Sequence, residues 1–401
     1  MITQEEKAIV KATAPVLKEG GLALTTHFYK RMFEHNPELK NIFNLGNQSD
    51  GKQQQALAMA VLAYAENIDN PSVLLPAVNK IAQKHTSLNI RAEHYPIVGK
   101  HLIASISEVL GSAATPEVLA AWTSAYNQLA DIFISYEAGL YTGQSTRSGG
   151  WSGWRPFIVK KKVKESEEIT SFYLYPADGG KVASFLPGQY VSVNIFLPSV
   201  SLFQARQYSL SNASNGTWYR ISVKRERGDV STPAGMISNY LHDKVTEGDM
   251  VELAAPAGDF VLDCMQTNPV VLISGGIGQT PLLSMVETLI QAGTEREIVW
   301  IHGCRNCDVH AFDDLLEKYR LEYGRMKKFV FYEALGAGSQ VEEGIVDIAR
   351  LPQDVISPEA SFYICGPSAF IRKQYSDLKS RGVKSEAIFY EEFGPHILSL
   401  N

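Results

Sequence analysis

Apolar residues recur at helical spacing through the first third of the chain. In "SDGKQQQALAMAVLAYAENI" and "PEVLAAWTSAYNQLADIFISYEAGLY" they return with the period of about 3.6 residues that marks an amphipathic helix. Thr3 precedes Glu6 at capping-box spacing and predicts a helix start. "LALTTHFYKRMFEHNP" is predicted to end at Asn36-Pro37, because the residue before a proline is driven out of helical backbone. "KIAQKHTSL" reads as an amphipathic helix with His85 beside Ile81 and Leu88, and a second helical pattern begins at Tyr95. Strand-like alternation is missing here, so residues 1–140 are predicted to be all-α, with about six to eight helices. Residues 141–153, around "TGQSTRSGGWSG", are small, polar and glycine-rich and read as a linker. The period then changes to two. "FIVKKKVKESEEITSFYLYPA", "GQYVSVNIF", "RQYSLSNAS", "WYRISVKRE" and "DMVELAAPAGDF" predict a small antiparallel β-barrel over residues 154–262. From "PVVLISGG" onward, strands alternate with helices, which predicts an α/β module with a parallel sheet over residues 263–401. The expected fold is therefore multidomain, in the order all-α, β-barrel, α/β.

Composition narrows the function classes. The 401 residues are 45% hydrophobic and 20% charged, ordinary values for a chain with sizeable cores. A net charge of −6 disfavours nucleic acid or an anionic membrane as partner. "ALAMAVLAYA" is too short to span a bilayer and is followed by Glu66. "MITQEEKAIV" lacks the layout of a signal peptide. The four cysteines all follow residue 260, so a disulfide framework is not expected. A soluble cytoplasmic protein, without stable membrane insertion and monomeric, is the expectation.

Several short motifs carry chemistry. "SGGIGQTP" places Gly275, Gly276 and Gly278 between a strand and a helix that begins with Gln279, Thr280 and Pro281. Backbone N–H groups and a helix N-terminus in such a turn can hold a phosphate, although an ordinary tight turn has the same composition. The pattern is not the full dinucleotide fingerprint, because Pro281 stands where the last glycine would be. No acidic residue ends the next strand either, where "HGCRNC" stands and Arg305 suits a 2′-phosphate. "CGP", comprising Cys365, Gly366 and Pro367, follows a later strand and falls on the same sheet edge. In "RQYSLSN", alternation puts Arg206 and Tyr208 on one strand face, with Ser209 next. The guanidinium can bind phosphate, the aromatic can lie along a flat ring, and the hydroxyl can bond a carbonyl. A surface cross-strand pair is the plainer reading of the first two. "GMISNYL" offers a helix start at Gly235 with Ser238 in its first turn. His85 alone is a packed core residue or a metal ligand, and nothing near it in sequence decides which. "CRNC", at Cys304 and Cys307, has C-x-x-C spacing without a second ligand pair, and "KKKVK" reads as an exposed strand face.

"RQYS", "GMISNYL", "SGGIGQTP" and "CGP", in this order, resemble the flavin and nicotinamide modules of the ferredoxin-NADP reductase superfamily. The all-α module resembles a bacterial globin, and together they resemble the flavohaemoglobins over the whole chain. The resemblance implies a nitric oxide dioxygenase that converts NO and O2 to nitrate. Electrons would pass from NADH or NADPH through FAD to haem b, each hydride supporting two turnovers. It makes His85 the iron ligand, with Tyr95 and Glu137 as its hydrogen-bonded partners. Tyr29 and Gln53 would stabilise bound dioxygen, Leu57 would share the helix face of Gln53, and Phe43 would wedge the haem plane. Lys84 would face the haem–flavin gap. The strand of Arg206, Tyr208 and Ser209 would bind FAD along with Tyr190, and Gly235 and Ser238 would cap the FAD pyrophosphate. The motifs of Gly275 and Cys365 would bind NAD(P)H. In "YEEFGP", Glu391 would contact the flavin region and Phe393 would cover the flavin ring. The same parts would also suit a reductase of other acceptors, while a haem-based oxygen or redox sensor would need neither reductase motif.

Overall fold

Thr3 starts the first helix as its spacing to Glu6 predicts: its hydroxyl accepts from the Glu6 amide at 3.2 Å, and Glu6 accepts from the Thr3 amide at 2.6 Å. The computed structural model describes residues 2–43, 51–230, 232–334, 341–352 and 355–393. Helix α1 spans Gln4–His35, with Pro15 inside it, and stops at Asn36 before a 3₁₀ turn over Pro37–Asn41. It is followed by α2 (Lys52–Glu66), α3 (Leu75–Ser87), α4 (His94–Leu110) and α5 (Pro116–Thr146). Short 3₁₀ turns at Pro71–Leu74 and Gly111–Ala113 complete the helical part among the described residues. Leu24, Phe28, Met32, Ile106, Ala121 and Trp122 fill its core.

Helix α5 continues to Thr146, into the stretch read as linker. Its polar residues are satisfied within the helix: Thr142 and Thr146 donate to the carbonyls of Ala138 and Thr142, each at 2.8 Å. The remainder is tied down as well, since Arg91 Nη2 donates to Ser152 Oγ at 2.8 Å.

The six-stranded antiparallel sheet comprises β1 (Arg155–Lys164), β2 (Ile169–Pro176), β3 (Tyr190–Leu197), β4 (Leu202–Ser209), β5 (Tyr219–Lys224) and β6 (Met250–Leu253). Its order is β4-β3-β6-β1-β2-β5. A bridge between Leu210, just past β4, and Ile221 of β5 joins the two outer strands, which is the closure a barrel needs. Helix α6 (Met236–Asp243) lies between β5 and β6 in sequence.

The second sheet contains β7 (Val270–Gly275), β8 (Ile298–Cys304), β9 (Met326–Tyr332), β10 (Glu342–Glu343), β11 (Ser361–Gly366) and β12 (Ile388–Glu392), in the order β10-β9-β8-β7-β11-β12. All its pairings are parallel. Helices α7 (Gln279–Gln291), α8 (Asp313–Tyr323) and α9 (Ser368–Ser380) connect them. Val270 and Leu272 pack with Leu282, Met285 and Leu316, whereas Val271 and Ile273 pack with Ile371 and Leu378. Alternate residues of one strand thus feed cores on opposite faces, which is why "PVVLISGG" is apolar without alternation.

The described chain forms two compact units, one of residues 1–154 with 192–206 and the other of residues 155–191 with 207–401. Within the first, Asn41 Oδ1 accepts from the Phe203 amide at 2.8 Å and the Lys40 carbonyl accepts from Gln204 Nε2 at 2.8 Å.

Candidate functional site

His85 stands in the last turn of α3, beside the buried stripe of Val78, Ala82 and Thr86. Leu88 caps this helix rather than extending its apolar face. His85 Nδ1 is 2.7 Å from Glu137 Oε1 and 3.2 Å from the Tyr95 hydroxyl. Tyr95 donates to the same Glu137 oxygen at 2.7 Å, and Glu137 is 2% exposed. Burial, reinforced by Glu137, pushes the Tyr95 phenol far above its ordinary range, so the hydroxyl stays a donor. With a carboxylate as the acceptor, the proton of a neutral His85 belongs on Nδ1 and the lone pair on Nε2. Phe133, one helical turn before Glu137 on α5, lies 5.7 Å from the His85 ring and stacks on Tyr95 at 6.4 Å. Tyr126 donates to the Tyr95 carbonyl at 2.6 Å. Gly99 makes room for it, since a Cβ there would stand 2.4 Å from the Tyr126 ring. Neither aromatic was singled out in the sequence; the spacing of four from Phe133 to Glu137 was the available signal.

Tyr29 is buried on α1, stacked on Phe33 at 5.9 Å and edge-on to Phe43 at 5.8 Å. Gln53 and Leu57 lie one turn apart at the start of α2, on one face. Gln53 Oε1 is buried and has no hydrogen-bond partner among the described residues. Leaving such an atom unpaired costs roughly 1–3 kcal/mol, so this amide fits a site that a ligand completes, and flipping it exchanges donor and acceptor. Lys84 is half-buried beside His85. A ring nitrogen with its lone pair free, buttressed by a buried carboxylate, and a buried amide oxygen without a partner among the described residues, on another helix of the same unit, are groups that suit a haem iron and a gaseous ligand.

In the barrel, Arg206, Tyr208 and Ser209 stand on β4, with Arg206 and Tyr208 half-buried and Ser209 buried. Tyr190 exchanges backbone hydrogen bonds with Ala257 at 3.0 and 2.9 Å. Its ring lies against Gly258, where φ is +111° and a Cβ would come within 2.9 Å of it. Gly235 precedes α6 without a side-chain cap, which leaves the N-terminal amides of the helix open to an anion. Ser238 Oγ accepts from the Glu226 amide at 3.2 Å and donates to the Gly235 carbonyl at 3.2 Å, fixing that turn.

The turn after β7 is built for close approach. Gly276 has φ +54°, and a Cβ on Gly278 would stand 2.1 Å from the Cys365 carbonyl oxygen and 2.9 Å from the Gly366 amide. The two motifs that the sequence placed on one sheet edge therefore touch. Gln279 is 1% exposed, yet neither its Oε1 nor its Nε2 has a partner among the described residues. Beside it, Thr280 Oγ1 bonds the Ile277 carbonyl at 3.1 Å, and Pro281 sits in the first turn of α7. Pro367 precedes α9, again without a side-chain cap. Cys365 pairs in register with Glu391 on β12; burial, then Glu391, pushes its thiol well above the ordinary range. Phe393 is exposed, and the rest of "YEEFGP", Gly394 and Pro395, lies outside the described residues.

Cys304 is buried, with its thiol pushed up to about 12 by burial, while Cys307 is exposed; both are free. No group of three or more His, Cys, Asp or Glu among the described residues is arranged to hold a metal ion. The "KKKVK" run is not simply an exposed face. A register shift between Val159 and Lys161 interrupts the alternation, and Lys162 Nζ turns to the carbonyls of Leu241, His242 and Val245, at 3.2, 3.2 and 2.6 Å. It closes the C-terminus of α6.

Comparison with known proteins defines the class. Residues 26–133 match the globin family, and residues 272–375 match the oxidoreductase NAD-binding domain. A flavohemoprotein of Bordetella parapertussis is 52% identical over 400 residues, covering 98% of this chain and 99% of the relative. The crystal structure of a flavohemoglobin from Malassezia yamatoensis with bound FAD and heme is similar at a TM-score of 0.86 and 28% identity, covering 98% of this chain and all of the other. The FAD/NAD-binding domain of a nitric oxide dioxygenase from Vibrio cholerae is similar at a TM-score of 0.56 and 39% identity, covering 60% of this chain and 99% of that one. A globin joined to an NAD(P)H oxidoreductase is the class these matches define. The chain belongs to the flavohemoprotein family, whose cofactors are haem, FAD and NAD(P)H. Its globin part is of the kind that binds O2 and other small gaseous ligands. No helix among the described residues is long and apolar enough to cross a membrane.

Proposed function

We propose that this protein is a nitric oxide dioxygenase, converting NO and O2 to nitrate with electrons from NAD(P)H. The observation that carries the reading is the buried pairing of His85 Nδ1 with Glu137 and Tyr95. When bound, haem supplies the centre for the reaction of the two gases, and FAD divides the two electrons of a hydride into single ones for it. His85 holds the iron through Nε2. Glu137 draws on the Nδ1 proton and makes the imidazole a stronger donor, and Tyr95 holds Glu137 in place. Tyr29 and Gln53 offer a hydroxyl and an amide proton to the gaseous ligand, with Leu57 and Phe43 excluding water around them. Arg206, Tyr208, Ser209 and Tyr190 hold FAD, and the open N-terminus of α6 at Gly235 and Ser238 receives its pyrophosphate. The touching turns of Gly275–Pro281 and Cys365–Pro367 receive the dinucleotide, whose amide and phosphate groups match the unpaired Gln279. Phe393 shields the flavin ring, Glu391 contacts the flavin region, and Lys84 lends charge beside the iron ligand. The four free cysteines fit a reducing compartment, and so a cytoplasmic location; we read the chain as a monomer.

An anaerobic visible titration with NADH tests the reading. The flavin band bleaches and the haem Soret band then shifts to its ferrous position, after which added O2 and NO are consumed to nitrate. A haem band that stays ferric while flavin bleaches would break the electron path and favour a sensor.

A further inference from the structure

Helix α7 begins directly after the glycine turn and buries two polar side chains behind it. Ser284 and Glu287 stand three apart, so they share one helix face, and they are 0% and 6% exposed. A buried carboxylate needs partners, and the barrel supplies them. Glu287 Oε1 accepts from Arg220 Nη2 of β5 at 2.7 Å, and Glu287 Oε2 accepts from the Ala213 amide at 2.9 Å. Both members of this ion pair are buried.

The partners belong to the segment that leaves β4, where Tyr208 and Ser209 end the strand. Ser284 Oγ donates to the Asn212 carbonyl at 2.8 Å. Asn212 Oδ1 accepts from the Arg220 amide at 2.7 Å, and Arg220 Nη2 donates to the Ser211 carbonyl as well as to Glu287. Helix α7 therefore grips the backbone at Asn212 and Ala213 directly, and at Ser211 through Arg220. Apolar side chains of similar volume would join the two elements with comparable stability, because desolvation offsets much of a buried ion pair. What the polar seam adds is a defined set of atoms to meet.

We propose that Arg220, Glu287 and Ser284 are positioning residues, which hold α7 in register with the end of β4 so that the nicotinamide meets the flavin ring at reacting distance. This rests on the reading of Tyr208 and Ser209 as flavin contacts and of the Gly275–Pro281 turn as the dinucleotide site. The step served is a hydride transfer: a proton with two electrons leaves the nicotinamide, NADH becomes NAD+, and FAD becomes its reduced anion. Ser284 lies one helical turn beyond Pro281, and Ala213 follows Ser209 closely in sequence, so slippage at the seam is carried to both sites. A misplacement of about 1 Å costs such a step roughly a hundredfold in rate.

Anaerobic stopped-flow reduction of the flavin in the holoenzyme by NADH tests this, alongside the long-wavelength charge-transfer absorbance of the reduced flavin with NAD+. The R220M/E287Q variant removes the ion pair without stranding a charge and leaves an amide oxygen for the Ala213 N–H. It is expected to hold FAD and to half-saturate at the wild-type NADH concentration, while the limiting rate falls roughly tenfold or more and the charge-transfer band weakens. S284A, which removes only the hydroxyl bonded to Asn212, is expected to separate rate from affinity in the same direction, and it carries the test if the double variant does not fold. A variant with the wild-type limiting rate and an undiminished band, or one whose rate falls only in step with its NADH affinity and FAD content, overturns the proposal and leaves the seam a structural clamp. A wild-type flavin that NADH does not reduce overturns the underlying site reading, and this proposal with it.

Discussion

A carboxylate 2.7 Å from one nitrogen of His85 changes what the other nitrogen can do. Partial withdrawal of the Nδ1 proton raises the donor strength of Nε2, and outer partners of this kind are worth about 10–100-fold in affinity or activity. Glu137→Gln keeps the size and can still accept from Tyr95, but it loses the charge. Spectroelectrochemistry is expected to show a more positive haem potential, with NO turnover reduced roughly tenfold. An unmoved potential would make Glu137 a packing residue. Tyr29→Phe is expected to speed O2 dissociation while leaving NADH-driven flavin reduction intact; unchanged dissociation kinetics would remove Tyr29 from the ligand pocket. The types and places of these residues were legible through the resemblance. Their mutual hydrogen bonds were not, because Glu137 reaches His85 across 52 positions and only packing of α3, α4 and α5 sets that distance.

Elements differ in how much of their role is local. The turn at Gly275–Gly278 could be read from sequence, because a strand, a glycine cluster and a helix follow one another directly. What it touches could not. Gly278→Ala would drive a methyl group into the Cys365 carbonyl, and overpacking of this sort costs about 1–3 kcal/mol. Weaker NADH binding in a titration, with the Soret spectrum unchanged, is the expected result; a normal KM for NADH would mean that the turn yields without consequence. The helix running through Thr146 was hidden by residue types that favour loops, since the hydroxyl-to-carbonyl bonds that satisfy them are invisible in composition. Lys162 was misread for a different reason. Strand alternation assumes an unbroken pleat, and the irregularity after Val159 re-aims every later side chain.

At the scale of the whole molecule, acid should destabilise the unit that contains the parallel sheet. His302 and His310 are buried there with their rings stacked at 4.9 Å, bonded through Nδ1 to Ser274 and Tyr332 at 2.8 Å each. Burial lowers the proton affinity of both imidazoles. The unfolded chain takes up protons on them near pH 6.5 and the folded chain does not, so stability is full above about pH 6.5 and falls as the pH drops below it. Calorimetry from about pH 7.5 to about pH 5.5 is expected to lower the melting of this unit, by up to about 1.4 kcal/mol per pH unit for each group. His302→Gln should make that slope shallower; equal slopes would mean that the pair does not titrate. The cysteines carry a consequence of another kind. On the proposed function the protein meets NO together with O2, and the oxidised products of that pair nitrosate accessible thiolates. Cys304 and Cys365 are buried thiols held in the protonated form, while Cys264 and Cys307 are exposed. Mass spectrometry after an NO donor in air should find modification at Cys307 first, since burial pushes the Cys264 thiol up as well, and the turn at Cys365, proposed to receive the dinucleotide, should outlast many cycles of the chemistry it would feed.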